Sequence, residues 1–406
     1  MPVKRLLLIG LTACLLGALA LAGCADSPGE TPQPAVVIQQ SANTEGTGFS
    51  GRFGGDLMTA FRETENPVLS PASAQLALGL LQAGAAGETR AQLDTVLSGI
   101  DFGQWMGALG TKEYGPTVEV ANSLWFAPGM TVNQPWLQTV TDDFGAESRT
   151  MDLTSNKAVT AINGWVEEKT HGRIPVLVNE PFAPDTAAVL LNALYFKGNW
   201  AEEFAPENTK DQPFRNASGG EVNVPTMHAD DRELCWFSTG DCTGVALPYM
   251  GMGQWQLLCL LPNEGTDPER LAAQDFAALL DGGEYRPVNL SLPRFTLEGT
   301  YELNGALQAM GLTDLFTENA DLTPMGTGPN GPLLVSEVLQ KTYFSVDEVG
   351  TEAAAVTEIL VDECAAIEEP REPIDVTFDR PFLCCLWCGE IGEPLFLAAV
   401  EELTAE

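Results

Sequence analysis

The chain has 406 residues, 20 basic against 56 acidic, and a formal net charge of -36. A surface this acidic repels nucleic acid phosphates and anionic lipid headgroups, which excludes those partners and leaves a solvated coat or attraction to a basic partner. With 45% hydrophobic residues the chain can bury a large core, and no change of composition after the first fifty residues marks a second domain.

At the start, Lys4 and Arg5 precede an apolar run, Leu6 to Leu21, too short and wrongly flanked for a membrane span. The run closes on Leu21-Ala22-Gly23-Cys24, which resembles the lipobox of bacterial lipoproteins. That resemblance implies a removable leader over 1–23 and a lipidated Cys24 as the new N-terminus. Loss of the leader removes two positive charges and no negative ones, taking the net charge from -36 to -38. Residues 24–46, rich in Ser, Pro, Glu, Thr and Gln, read as a flexible tether, and 47–406 as one domain. The expected location is the extracellular face of a bacterial cytoplasmic membrane, with the lipid as the only membrane contact.

Further along, Ser70-Pro71-Ala72-Ser73 reads as a capped helix start with proline in the first turn. Ile162, Trp165, Val166 and Lys169 have helical spacing, and Gly172 supplies a stop. His171, just before it, has the ordinary place of a C-terminal cap. The long apolar run Ala187–Phe196 predicts a strand covered on both faces. Val245–Tyr249, Trp255–Leu261 and Val288–Phe295 are strand-like, and Leu303–Met310 returns to helical spacing. Two apolar strands, split at Gly389–Pro394, fill Phe378–Val400. The class is α+β with a large sheet.

Enzyme signatures are weak. Gly46, Gly48 and Gly51 spell G-x-G-x-x-G but follow the tether rather than a strand. The only histidines, His171 and His228, sit in no zinc-binding pattern, and no nucleophile elbow occurs. Asn216-Ala217-Ser218 and Asn289-Leu290-Ser291 match glycosylation sequons by chance if the chain is exported by a bacterium. Beyond Cys14 and Cys24 seven cysteines remain, an odd number, so at least one thiol is free or bonded outside the chain. Cys384, Cys385 and Cys388 lie in an apolar run and read as small core residues rather than ligands. Neither a metal nor an organic cofactor is expected.

Several motifs in register, from about residue 50 to the end, resemble the serpin family. Asn66 with Ser70 and Ser73 resembles the family's shutter, and Thr170-His171-Gly172-Arg173-Ile174 its helix in front of the main sheet. Leu191-Asn192 and Phe196-Lys197-Gly198-Asn199-Trp200 are similar to a specific family strand, with Trp200 at the sheet top. Leu247-Pro248-Tyr249, Pro293-Arg294-Phe295, Ala320-Asp321-Leu322 and Asp379-Arg380-Pro381-Phe382 follow in order. The sharpest match is the hinge, Glu348-Val349-Gly350-Thr351-Glu352-Ala353-Ala354-Ala355-Val356-Thr357. The resemblance implies a large central mixed sheet with further sheets, about eight or nine helices and an exposed reactive loop. It also implies a monomeric suicide-substrate inhibitor, or a non-inhibitory relative that binds or builds. Gln340 stands where the family often has His, so its shutter hydrogen bonding must differ. The short stretch Ser98 to Pro116 leaves little room for the helix that binds heparin in some relatives.

The loop residues suit insertion as a strand, because side chains alternate between faces. With Thr351 inward, so are Ala353, Ala355, Thr357, Ile359, Val361 and Glu363; the outward set, from Glu352 to Asp362, carries most of the charge. Gly350 is expected to let the backbone bend. In the family the cleaved residue lies about sixteen positions after the hinge glutamate, here Cys364, which implies a reactive bond from Cys364 to Ala365. Elastase-like or subtilisin-like serine proteases, with small apolar pockets, fit that bond. The loop is longer than common in the family, so Glu363 and Arg371 remain alternatives.

Overall fold

The structure is a computed structural model that describes residues 4–11, 51–109, 115–251, 254–351 and 371–405. Among them are eighteen strands and eight α-helices, numbered in chain order. The large sheet holds β1 (Lys4–Leu11), β3 (Thr117–Phe126), β5 (Glu147–Thr150), β6 (Ala188–Asn199), β12 (Phe295–Glu302), β14 (Leu333–Val346) and β15 (Gly350–Thr351). A nine-stranded sheet holds β2 (Val68–Leu69), β7 (Lys210–Arg215), β8 (Glu221–Ser238), β9 (Cys242–Pro248), β10 (Trp255–Pro262), β11 (Glu284–Pro293), β16 (Ile374–Thr377), β17 (Phe382–Cys388) and β18 (Glu393–Val400). A two-stranded piece pairs β4 (Thr131–Val132) with β13 (Gly326–Thr327). The helices are α1 (Gly51–Ala60), α2 (Pro71–Ala83), α3 (Gly87–Val96), α4 (Phe102–Ala108), α5 (Gln134–Phe144), α6 (Asn156–Lys169), α7 (Phe276–Asp281) and α8 (Asn304–Ala309). The α+β class with a large mixed sheet and further sheets is as the sequence leads one to expect. The short stretch before Pro116 nevertheless accommodates the seven-residue α4.

The run read as a doubly covered strand is β6, and its two faces go to different cores. Ala188, Leu190, Leu194 and Phe196 face the main core, whereas Val189, Leu191 and Ala193 pack beneath α6 against Ile162, Trp165 and Val166. Burying each of the larger α6 side chains is worth about 1.5–3 kcal/mol, which holds that helix across the front of the sheet. It ends where His171 and Gly172 both turn left-handed, with φ of 50° and 81°. His171 also hydrogen-bonds Glu119 at 3.1 Å and packs its ring at a tilt against Tyr195, so it joins the helix end to β3 and β6.

Strand β14 alternates between buried and half-buried residues, and the alternation slips once, at Ser336 and Glu337. The slip is a bulge in the backbone register, which lets residues on either side keep their faces towards the core. Along its outer edge β14 pairs with β12. Its inner edge is separated from β6 by a gap filled at both ends. At the top sits β15, antiparallel to both; at the bottom sits β1, parallel to both. The segment read as a removable leader thus includes a strand of the large sheet in this structure.

All six described cysteines are buried and form no disulfide among the described residues, including Cys384, Cys385 and Cys388 in β17. Cys259 and Cys384 face each other across β10 and β17 with their sulfurs 3.8 Å apart. Burial pushes the Cys384 and Cys385 thiols well above the usual thiol range, as expected of core residues.

Candidate functional site

The hinge begins at a tight turn. Asp347 Oδ1 accepts from the backbone N–H groups of Val349 and Gly350, at 2.9 and 3.1 Å, and the chain then reverses into β15. Gly350 does not serve by a positive φ. A side-chain carbon there would collide with the Gly198 carbonyl oxygen and lie 2.9 Å from Asn199 Cα, so close backbone approach is what requires glycine. Thr351 lies opposite Gly198 on β6 and Val346 on β14, almost fully buried. Its hydroxyl shares a 2.5 Å hydrogen bond with the phenol of Tyr249. Burial raises the Tyr249 pKa well above the usual phenol range, so this pair stays neutral.

The residues beneath the hinge form one clamp. Trp200 stacks on Tyr249 with ring centres 4.7 Å apart, and its indole N–H donates to the Asp347 carbonyl at 2.9 Å. The Trp200 backbone N–H donates to Val349 and that of Phe204 to Glu348. Glu348 accepts from the Thr209 hydroxyl at 2.7 Å and faces Arg294 at 3.8 Å. Trp200, read from the sequence as a sheet-top residue of the shutter group, thus contacts the hinge turn; Tyr249 and Arg294 stand in motifs noted above without a role, and Thr209 carried no sequence signal.

Lower in the sheet lies a buried polar network. The Gln340 side chain accepts from Ser70 N–H at 2.9 Å and donates to the Ser70 carbonyl at 2.8 Å. The Ser70 hydroxyl donates to the Leu395 carbonyl, and the Ser73 hydroxyl donates to Asn192 at 2.7 Å. Asn192 donates to Asn122, which donates to the Phe144 carbonyl. Thr342 donates to the Val68 carbonyl at 2.7 Å. The network joins β14, α2, β6, β3 and β18 at one level of the core. It gathers Ser70, Ser73, Asn192 and Gln340, and adds Asn122 and Thr342.

Asn66 does not join it. With φ of 49° it turns its amide to the chain after β18, accepting from Glu401 and Glu402 N–H and donating to the Glu402 carbonyl. Its role is to tie the start of β2 to the C-terminal segment. Arg371 is likewise fixed at the far end of the loop: it pairs with Glu284 at 2.9 Å, at the start of β11. The hinge residues Glu352, Ala353, Ala354, Ala355, Val356 and Thr357, and the bond residues Glu363, Cys364 and Ala365, lie outside the described residues.

Between the end of β1 and Thr351 the gap is open. Thr342–Ser345 of β14 and Leu194–Lys197 of β6 flank it, and among the described residues no strand lies between them. Tyr195, Phe196, Tyr343, Phe344 and Thr351 line the resulting cavity. Among the described residues no group of His, Cys, Asp and Glu is arranged to hold a metal ion.

A large mixed sheet whose strands β6 and β14 are parted at Thr342–Ser345 and Leu194–Lys197 among the described residues, with the hinge turn at the head of that seam, defines a class of strand-accepting proteins. The match to the family described as Serpin (serine protease inhibitor) covers residues 50–403. The chain is 33% identical over 346 residues to an uncharacterized serpin-like protein of Thermococcus kodakarensis, covering 82% of this chain and 79% of that one. With human neuroserpin it is 31% identical over 365 residues, covering 84% and 87%. The thermophilic serpin tengpin in its native state superposes with a TM-score of 0.78 at 27% identity, covering 90% of this chain and 96% of that one. The chain belongs to the serpin family. Serpins in general inhibit serine proteases rather than catalyse reactions, and some members do not inhibit.

Proposed function

We propose that this chain is a suicide-substrate inhibitor of extracellular serine proteases. Cleavage in the loop beyond Thr351 would free its front half to enter the gap between β6 and β14 as a strand, carrying the protease along as a trapped acyl-enzyme. The observation behind this reading is the double pairing of Thr351, with Val346 and with Gly198, at the head of an open seam.

That register, continued downwards, matches the loop residue by residue. It would set Ala353 between Phe344 and Phe196, where a larger side chain would meet two rings. It would set Ala355 between Thr342 and Leu194, and Thr357 between Gln340 and Asn192. The odd-numbered residues thus face the main core, in keeping with their small or β-branched character. The even-numbered ones would not face open water in mid-sheet. Glu358 would lie opposite Leu191 and Leu339 beneath α6, where a carboxylate is costly unless the helix lifts.

The favoured bond is Cys364–Ala365 and the favoured targets are elastase-like or subtilisin-like enzymes. Arg371 is the weakest alternative, because its ion pair with Glu284 ties it to β11. Incubation with elastase-, subtilisin- and trypsin-like proteases, followed by a denaturing gel and mass spectrometry, tests the reading. A covalent complex with a released fragment beginning at Ala365 is expected, and clean turnover by every protease would overturn inhibition. The lipobox resemblance supports tethering through a diacylglyceryl Cys24 on the outer face of a bacterial cytoplasmic membrane. Intact-mass measurement of membrane-extracted protein should give Cys24 as a lipidated N-terminus, and an unmodified chain starting at Met1 would refute it.

A further inference from the structure

The lower half of the seam is occupied by the chain's own N-terminal segment. Strand β1 pairs with β14 from Lys4↔Leu333 to Leu11↔Lys341, and with β6 from Leu6↔Ala188 to Leu11↔Ala193. Both pairings are parallel, whereas the hinge strand β15 is antiparallel to the same two neighbours. The segment therefore enters the seam from the opposite end and in the opposite direction.

The two occupants meet at a definable level. Val346 opposite Thr351 fixes Ser345 for Glu352, and each step down β14 moves one step along the loop. Thr342 is then the level of Ala355, Lys341 that of Val356 and Gln340 that of Thr357. Leu11 already pairs with Lys341, and Gly10 with both Gln340 and Asn192. Only the levels of Glu352 to Ala355 are left open.

We propose that Lys4–Leu11 is a competing strand for the reactive loop's slot, and that a chain retaining it cannot insert the loop beyond Ala355. This inference rests on the inhibitory reading above. A loop arrested after four levels leaves the acylated protease near the top of the molecule, where water can hydrolyse the ester and release it. The retained segment thus makes the chain a substrate, and its removal with residues 1–23 makes it a trap. The slot accepts the segment because both flanking edges offer backbone N–H and C=O groups along their whole length, and a paired interior strand satisfies both.

The test uses the full chain, residues 1–406, beside the same chain carrying Leu8→Pro and Gly10→Pro. Proline lacks the N–H that a strand between two neighbours must donate. Hydrogen exchange reads occupancy directly. Amides of Leu190–Ala193 and Val338–Lys341 should be protected in the full chain and exchange at least about tenfold faster in the variant, as seam-edge amides lose their partner. Equal protection in the two proteins overturns the inference whether or not either one inhibits. The second readout is the ratio of covalent complex to cleaved chain with a subtilisin-like protease, which should rise by about tenfold in the variant, because cleavage then competes with unobstructed insertion. An equal ratio, with abundant complex from both, refutes the block but leaves the inhibitory function standing. Faster exchange in the variant with no complex from either protein instead sinks the inhibitory reading and keeps the strand.

Discussion

Replacing Gln340 with Leu tests the network that joins the sheet to α2. The side chain is fully buried and makes two hydrogen bonds, both to the backbone of Ser70, a residue 270 positions away. Leucine has nearly the same volume and no polar atoms, so packing is roughly kept while the Ser70 N–H and C=O lose these partners. The Ser70 carbonyl retains a second bond, from Ala74 N–H at 3.2 Å, but the N–H loses its Gln340 partner. Each buried backbone group left short costs about 1–3 kcal/mol, and the retained bond discounts the carbonyl, so a loss of about 2–4 kcal/mol is expected. The assay is urea unfolding followed by tryptophan fluorescence, read at the first transition. The hold between β14 and the start of α2 also resists separation of β14 from β6. The variant should therefore lose inhibitory activity faster than wild type on incubation at 37 °C, through spontaneous filling of the seam. A stability change below about 0.5 kcal/mol, the range of ordinary surface substitutions, would refute the account.

Three further substitutions probe the hinge, the loop and the C-terminal segment. Thr351→Arg would bring a guanidinium against Tyr249 at an almost fully buried position, at a cost of several kcal/mol; cleavage at wild-type rate with no covalent complex is expected on a denaturing gel, and full inhibition would show the inward assignment to be wrong. Glu358→Ala would remove the carboxylate destined for the space under α6, so the share of encounters ending in complex should rise, and a fall would mean that α6 offers that carboxylate a partner. Glu401 has its pKa raised to about 8, first by burial and then by Glu269, whose carboxyl lies beside it. A raised folded-state pKa gives stability that is complete below about 4.5 and lost as pH climbs to about 8. Because Glu401 is only half buried, solvent screening reduces the effect to on the order of 1–2 kcal/mol. Glu401→Gln should therefore gain stability over wild type as pH goes from 5 to 8.5, and parallel pH profiles of unfolding would contradict this.

Local pattern was enough for the elements that rely on local pattern. The unbroken apolar run of β6, the cap at Ser70 and the continuous apolar runs of β17 and β18 all carry their geometry in neighbouring residues. Glu348 to Thr357 could be singled out as a hinge through the family resemblance, and its small side chains at alternate positions are visible without a structure. What escaped was the identity of distant partners. Gln340 looked like a gap in the shutter, yet a glutamine amide both donates and accepts, and it bonds both sides of the Ser70 backbone. Asn66 looked like a shutter residue because it stands near Ser70 in the chain, but a left-handed turn directs its amide to Glu401 and Glu402 instead. Gly350 was read as a pivot, and only the approach of the β6 backbone reveals that the constraint is space. The cavity lining at Tyr195 and Tyr343 and the clamp at Tyr249 depend on strands that are far apart in sequence, so no window along the chain could have joined them.

One level of the sheet connects these parts. Gln340 and Asn192 stand opposite each other across the seam, and each also anchors the polar network beneath it, the first through Ser70 and the second through Ser73. A strand at that level, as Gly10 of β1 is here, keeps β14 and β6 apart where side-chain hydrogen bonds to α2 also join the two halves of the core. Both bonds run to α2, not directly across the seam, so they restrain the two halves through that helix and leave the slot itself free of a cross-seam side-chain bond. A direct Gln340–Asn192 bond would have to break for any strand to enter. On the inhibitory reading, routing the connection through Ser70 and Ser73 would let a strand enter with these buried polar atoms still satisfied, at a lower cost than breaking a direct bond. Thr357 would arrive at that level, and its β-branched side chain suits the strand while its hydroxyl can join the amides on either side.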